Sequence, residues 1–101
     1  MAILNAVRIQ PRSAEVWPDL QKLLKKGTEI INRHGGENVT VVVSMNGPTT
    51  NELTVLATAE DWAKYGQVQK AVYDDPEMQA LLLEAGKISR WEIYTYQTLD
   101  L

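Results

Sequence analysis

Over residues 13–34 the apolar positions fall at Val16, Leu20, Leu23, Leu24, Gly27, Ile30, Ile31 and His34, the i, i+3, i+4, i+7 spacing of a single helical face. No other periodic signal in the chain is as long. A helix with one apolar stripe must bury it against a second layer, so the rest of the sequence has to supply that layer. Pro18 fits in the first turn, where its missing N–H is no loss, which puts the start of regular helix at Val16 or Trp17. Gly35-Gly36 provide the left-handed ending that stops it.

The second layer is written in four runs with period-two alternation. Residues 2–10 set Ile3, Asn5, Val7 and Ile9 on one face and Leu4 and Ala6 on the other. Residues 38–46 carry Val39, Val41, Val43 and Met45 on one face, with Val42 among Thr40, Ser44 and Asn46 opposite, which is β-branched strand chemistry. Gly47-Pro48-Thr49-Thr50-Asn51 reads as a turn. Residues 52–59 then alternate Leu53, Val55 and Ala57 against Thr54, Leu56 and Thr58, completing a hairpin. The last run, residues 88–99, places Trp91, Ile93, Thr95 and Gln97 against Arg90, Glu92, Tyr94 and Tyr96, and periodicity does not say which of these faces meets the helices.

Between the third and fourth runs lies a helix that must break. Thr58 and Asp61 have capping-box spacing, predicting a start near Ala59. Asp75-Pro76 repeats the start signal, because the residue before proline avoids the helical region and proline suits the first helical position. The first piece carries Trp62 and Tyr65; the second carries Met78, Leu81, Leu82 and Ala85 on one face and is expected to end at Gly86.

The order is therefore β-α-β-β-α-β in one α+β domain over residues 1–101: a ferredoxin-like four-stranded antiparallel sheet with two helices on one face. The strands are apolar on both faces, so the face without helices would be a large exposed patch in a monomer. A homodimer packed sheet to sheet would bury it, an expectation that comes from patterning alone.

Composition narrows the chemistry. A formal net charge of −3 with interspersed signs leaves no basic stripe for nucleic acid. No apolar run approaches membrane-spanning length, so no membrane partner is expected. Cysteine is absent and the opening residues lack a signal-peptide pattern, which makes the cytoplasm the default compartment. With no thiolate and a single histidine, no metal site is expected. No glycine-rich phosphate loop precedes a helix, so nucleotide cofactors have no seat and no cofactor is expected.

Asp61-Trp62-Ala63-Lys64-Tyr65-Gly66, then Asp75-Pro76-Glu77 and Leu81-Leu82, resemble the aromatic-x-x-Tyr-Gly and Asp-Pro-Glu pattern of NIPSNAP-like proteins. These belong to the dimeric α/β-barrel superfamily, together with antibiotic-biosynthesis monooxygenases and haem-degrading monooxygenases. The resemblance covers nearly the whole chain. It implies a homodimer whose two sheets form a barrel, with a pocket in each protomer between helices and sheet. Haem-degrading members use a histidine on the second helix, where this chain has Gln79-Ala80-Leu81-Leu82-Leu83, so haem chemistry is disfavoured. They also use an asparagine on the first strand, and Asn5 is carried over on that ground.

The candidate residues each have a structural alternative. His34, the single histidine, is a candidate general base by its side-chain type, yet its place before two glycines also suits bonding to the last helical carbonyls. Trp62 and Tyr65, one turn apart, make either an aromatic pocket wall or core packing, and Tyr65 is the second catalytic candidate. Tyr94 beside Arg90 and Glu92 would stabilise an oxyanion in a pocket, or lie on solvated or interface surface, and Trp91 offers the opposite strand face. Asn5, Trp62, Tyr65, Trp91 and Tyr94 are the expected ligand contacts. The functional expectation is a homodimer binding a small apolar or aromatic molecule, with a cofactor-independent monooxygenase or cyclase as the catalytic form. A non-catalytic dimerisation or ligand-sensing module is the rival from another class.

Overall fold

The computed structural model describes residues 1–47 and 51–101. Four strands, β1 (Ile3–Pro11), β2 (Glu37–Val43), β3 (Leu53–Ala59) and β4 (Ser89–Gln97), form one antiparallel sheet in the order β2-β3-β1-β4. Three helices complete it: α1 (Trp17–Arg33), entered through a 3-10 turn at Ala14–Val16, then α2 (Trp62–Asp74) and α3 (Pro76–Ile88). This is the ferredoxin-like α+β arrangement expected from the order of runs. Pro48, Thr49 and Thr50 of the expected hairpin turn lie outside the described residues.

The ends of α1 follow from its sequence. Pro18 sits in the first turn. At the other end the Gly36 N–H bonds the Ile31 carbonyl at 2.9 Å and the Gly35 N–H bonds that of Asn32 at 3.1 Å, a Schellman closure with Gly35 at φ 94°. Gly36 is needed for space: a Cβ there would lie 2.4 Å from Ile31 Cγ2.

The second helix breaks where expected. Asp75, extended at φ −74° and ψ 121°, ends α2 and caps α3 by accepting the Glu77 N–H at 2.9 Å. Two boundary expectations are corrected. Thr58 does not cap α2, because β3 claims it through Ala59 and its hydroxyl is tied to β2, donating to the Glu37 carbonyl and accepting from Asn38 Nδ2. Asp61 is the cap, accepting the Lys64 N–H at 2.8 Å, so the helix starts at Trp62 rather than near Ala59. Nor does Gly86 end α3: the helix runs on to Ile88, where Ser89 Oγ bonds the Ala85 carbonyl at 2.6 Å.

Strand register decides what each face presents. Val7 pairs with Val55 and Ile93, and Ile9 with Leu53 and Trp91, so the odd-numbered residues of β1, β3 and β4 share the helix-covered face. Ile9, Leu53 and Val55 pack there with Leu20 and Leu24 of α1. Ile30 of α1 joins Val68 and Val72 of α2 and Met78, Leu81 and Ala85 of α3 in a second cluster, and Ile31 and Trp91 pack against both. The other face carries no helix. It presents Leu4, Ala6, Arg8, Leu56, Val42, Tyr94 and Tyr96, with Val42 and Tyr96 about half exposed at 42% and 53%.

Candidate functional site

A cavity of about 70 Å³ lies between the helix-covered face of the sheet and helices α1, α2 and α3. It exists because small residues line it: Ala57 and Ala59 on β3, and Gly36 just beyond α1, leave room that larger side chains would fill. Val7, Val55, Ile31, Val72, Met78 and Trp91 supply an apolar wall.

One side of the cavity is polar and internally ordered. Asn5 and Thr95 are cross-strand partners of β1 and β4, and Thr95 Oγ1 donates to Asn5 Oδ1 at 3.2 Å. Tyr65 reaches the same oxygen from α2 with its hydroxyl, also at 3.2 Å. Gln69, one helical turn after Tyr65, donates its amide N–H to that hydroxyl at 3.2 Å. Among the described residues the Asn5 amide nitrogen has no hydrogen-bond partner, and neither does the hydroxyl of Tyr73, a further lining residue. Burial pushes the Tyr73 phenol above its usual pKa, with Tyr65 adding to the effect, so at neutral pH it is a hydrogen-bond donor and not a base.

Among the described residues, no Asp, Glu, Lys, Arg or His lines the cavity. Its chemistry is that of hydrogen bonds in an apolar surround. Such a site can orient a neutral molecule and hold charge that develops on an oxygen. It has no carboxylate or imidazole to remove a proton.

The sequence-derived candidates divide. Asn5, Tyr65 and Trp91 line the cavity together. Trp62 touches Tyr65 edge to face, with ring centroids 5.8 Å apart, but is 49% exposed and gives its indole N–H to Gln97 Oε1 at 2.8 Å outside the cavity. Tyr94 lies across the sheet on the helix-free face. Its hydroxyl donates to Glu92 Oε2 at 2.5 Å and its ring lies 5.4 Å from the Arg8 guanidinium, which also pairs with Glu52. The hydrogen bond to Glu92 raises the Tyr94 pKa and lowers that of Glu92.

His34 is placed at the helix break and not in the cavity. Its Nε2 lies 2.7 Å from Asp75 Oδ2, which Arg33 Nη1 also meets at 3.3 Å. The imidazole therefore bonds a carboxylate of the next helix cap, where the sequence suggested the end carbonyls of its own helix. This hydrogen bond, the Glu77 N–H and the Arg33 charge hold the Asp75 carboxyl below the usual carboxylate range. Among the described residues, no group of three or more His, Cys, Asp or Glu is placed to hold a metal ion.

Gln69, Thr95 and Tyr73 were not foreseen. Gln69 had a signal, since it follows Tyr65 by four on the same helix. Thr95 had none locally, because only the β1–β4 register sets it beside Asn5.

No protein-family model matches the chain, and no curated protein matches it by sequence. Solved structures do. A NIPSNAP family protein from Agrobacterium tumefaciens, 13% identical, superposes with a TM-score of 0.80 over 99% of this chain and 95% of that one. SnoaB, a cofactor-independent oxygenase from Streptomyces nogalater, is 12% identical in its N63A mutant and gives 0.74 over 99% and 95%. A conserved protein from Methanosarcina mazei, 17% identical, gives 0.75 over 98% and 95%. The chain thus has the ferredoxin-like fold that NIPSNAP family proteins share with the SnoaB oxygenase.

Proposed function

We propose that this protein binds a small, mostly apolar molecule in the cavity between sheet and helices, and that it works as a homodimer joined through the helix-free face of the sheet. The observation that carries the binding reading is the pairing of an apolar cavity with one ordered polar cluster, Asn5, Tyr65, Gln69 and Thr95, in which the Asn5 amide N–H groups remain available to a ligand oxygen. The dimer reading is supported by Leu4, Leu56, Val42, Tyr94 and Tyr96 standing on one uncovered face.

If the bound molecule reacts, the chain's part is orientation and oxyanion stabilisation. Asn5 donates to an enolate or phenolate oxygen, and Tyr65 holds Asn5 in place. The proton passes to solvent water, a transfer that the substrate's own acidity must make feasible, because among the described residues no carboxylate or imidazole lines the cavity. This is the chemistry of a cofactor-independent oxygenase or cyclase acting on an activated phenol or β-dicarbonyl compound, and the shared fold of SnoaB is consistent with it.

A thermal-shift screen with neutral phenols and β-dicarbonyl compounds tests the proposal, since a ligand of the folded state raises stability by mass action. Stabilisation that Asn5→Ala abolishes, with the variant still folded, supports it, and oxygen consumption with the bound compound identifies catalysis. Stabilisation unaffected by Asn5→Ala and Tyr65→Phe places the ligand elsewhere and overturns the cavity reading.

A further inference from the structure

Adjoining the cavity is a second, rear chamber of about 40 Å³, lined by Leu23, Leu24, Gly27 and Thr28 of α1 and Leu81 of α3. The two chambers share Val7, Val55, Ile31, Met78 and Trp91 as lining, so these side chains are the partition between them. The rear chamber is lined by carbon: the Thr28 hydroxyl is committed to the Lys25 carbonyl at 2.8 Å. Among the described residues, no charged side chain lines either chamber.

Resting on the binding reading above, we infer that the ligand is an uncharged, unbranched aliphatic molecule with one oxygen-bearing head, whose head meets Asn5 and whose chain passes Met78 into the rear chamber beside Gly27. Shape argues for a chain over a ring. A ring would need the front chamber to widen toward the roughly 150 Å³ cavity that accommodates benzene, whereas a chain can occupy two narrow spaces in series as they stand. Met78 is the member of the partition that can yield, because an unbranched thioether repacks through three rotatable bonds. Charge argues for a neutral head. A carboxylate or phosphate in this cavity would lose its water and find no cation among the lining residues.

Gly27 then sets the length limit. An added Cβ would lie 3.6 Å from Leu81 Cδ1, an ordinary van der Waals contact, so Gly27→Ala narrows the rear chamber without strain in the helices. The substitution also replaces a mid-helix glycine, so the variant is expected to melt no lower than the parent.

The test is calorimetric titration of the parent protein and Gly27→Ala with the 1-alkanols from butanol to decanol, with octanoate at pH 7 and with the neutral phenols of the screen. In the parent, affinity should rise about fourfold for each methylene that enters, then level off. In Gly27→Ala the rise should stop about one methylene earlier, leaving the long homologues about fourfold weaker. Octanoate should bind at least about tenfold more weakly than octanol. An affinity that ignores chain length, a Gly27→Ala series that follows the parent, or octanoate equal to octanol would overturn the inference. Phenols binding in an Asn5-dependent way without alkanols would overturn it while leaving the binding reading intact; failure of both ligand classes would remove that reading too.

Discussion

The two faces of the sheet are made from the same four strands, one residue out of phase, and they solve the problem of polar groups in opposite ways. On the helix-covered face, Ile3 and Ile9 are fully buried and the polar groups at the cavity are neutral: Asn5, Tyr65, Gln69 and the neighbouring Thr95 bond one another through the Asn5 carbonyl oxygen and the Tyr65 hydroxyl. On the helix-free face the polar groups are charged, with Arg8 pairing with Glu52 and lying against Tyr94, which in turn bonds Glu92. The difference teaches where each face does its work. Neutral hydrogen bonds suit an apolar interior, since an unpaired charge there would be far more costly. Charges are tolerable on a face that meets water in the free chain and that a second copy would meet in a dimer.

The largest expected effect separates the faces by stability. Ile9→Ala should cost about 2–5 kcal/mol in urea unfolding, because the side chain is fully enclosed between sheet and α1. Val42→Ala, on the half-exposed opposite face, should cost well under about 1 kcal/mol in the separated chain. Equal costs would mean that Val42 is as buried as Ile9 in the working molecule.

The next effect sharpens the same contrast by assembly. Leu56 lies on the helix-free face opposite Ala6 and Thr40. Leu56→Glu should weaken a dimer by roughly 30-fold or more in sedimentation equilibrium, the size expected for a central interface residue. A dimer that is unchanged by this charge is not joined through this face.

Tyr65→Phe is smaller and confined to the cavity. It removes the hydroxyl that links Asn5, Thr95 and Gln69, and should cost about 0.5–1.5 kcal/mol of stability together with most of the affinity for an oxygen-bearing ligand. Loss of stability with affinity unchanged would reduce the cluster to a structural role.

The smallest effect belongs to neither face and serves as a control. Asp75, with its pKa lowered chiefly by His34, contributes stability that is fully present above the ordinary carboxylate range and is lost as the pH falls through its depressed folded value. The melting temperature should fall on that acid limb, and Asp75→Asn, which can still cap α3, should flatten it. An acid limb of unchanged slope in the variant would assign it to other carboxylates.

Much of this architecture was legible wherever local chemistry carries the answer. The phase of β1, the Gly35-Gly36 stop and the break at Asp75-Pro76 each depend on residues within a few positions of one another. What was not legible depended on long-range pairing. The two faces of β4 are alike in sequence, and only pairing with β1 turns Trp91 and Thr95 toward the helices and Tyr94 away from them. Thr58 carries a sound local capping signal that lost to the cross-strand claims of Glu37 and Asn38 on its hydroxyl. His34 was placed correctly at a helix end, but its partner is 41 residues away. The cavity itself is a shortage of side-chain volume at Gly36, Ala57 and Ala59, which no single run of sequence announces.

The irregular pairing at the start of β2 has a consequence for solubility. This strand is an edge of the sheet, and Val41, Val42 and Val43 are each about 40% exposed on it, so its outer row of N–H and C=O groups is an apolar template for strand addition by another molecule. Between Glu37 and Thr40 the register slips, and Asn38 takes φ 52°, a left-handed conformation that asparagine tolerates better than most residues. A foreign strand that zips along the valines therefore meets a kink before it can run the full length of the edge. Irregularity of this kind blunts an edge strand as a template for stacking, and here it borders the uncharged, β-branched run of residues 39–43.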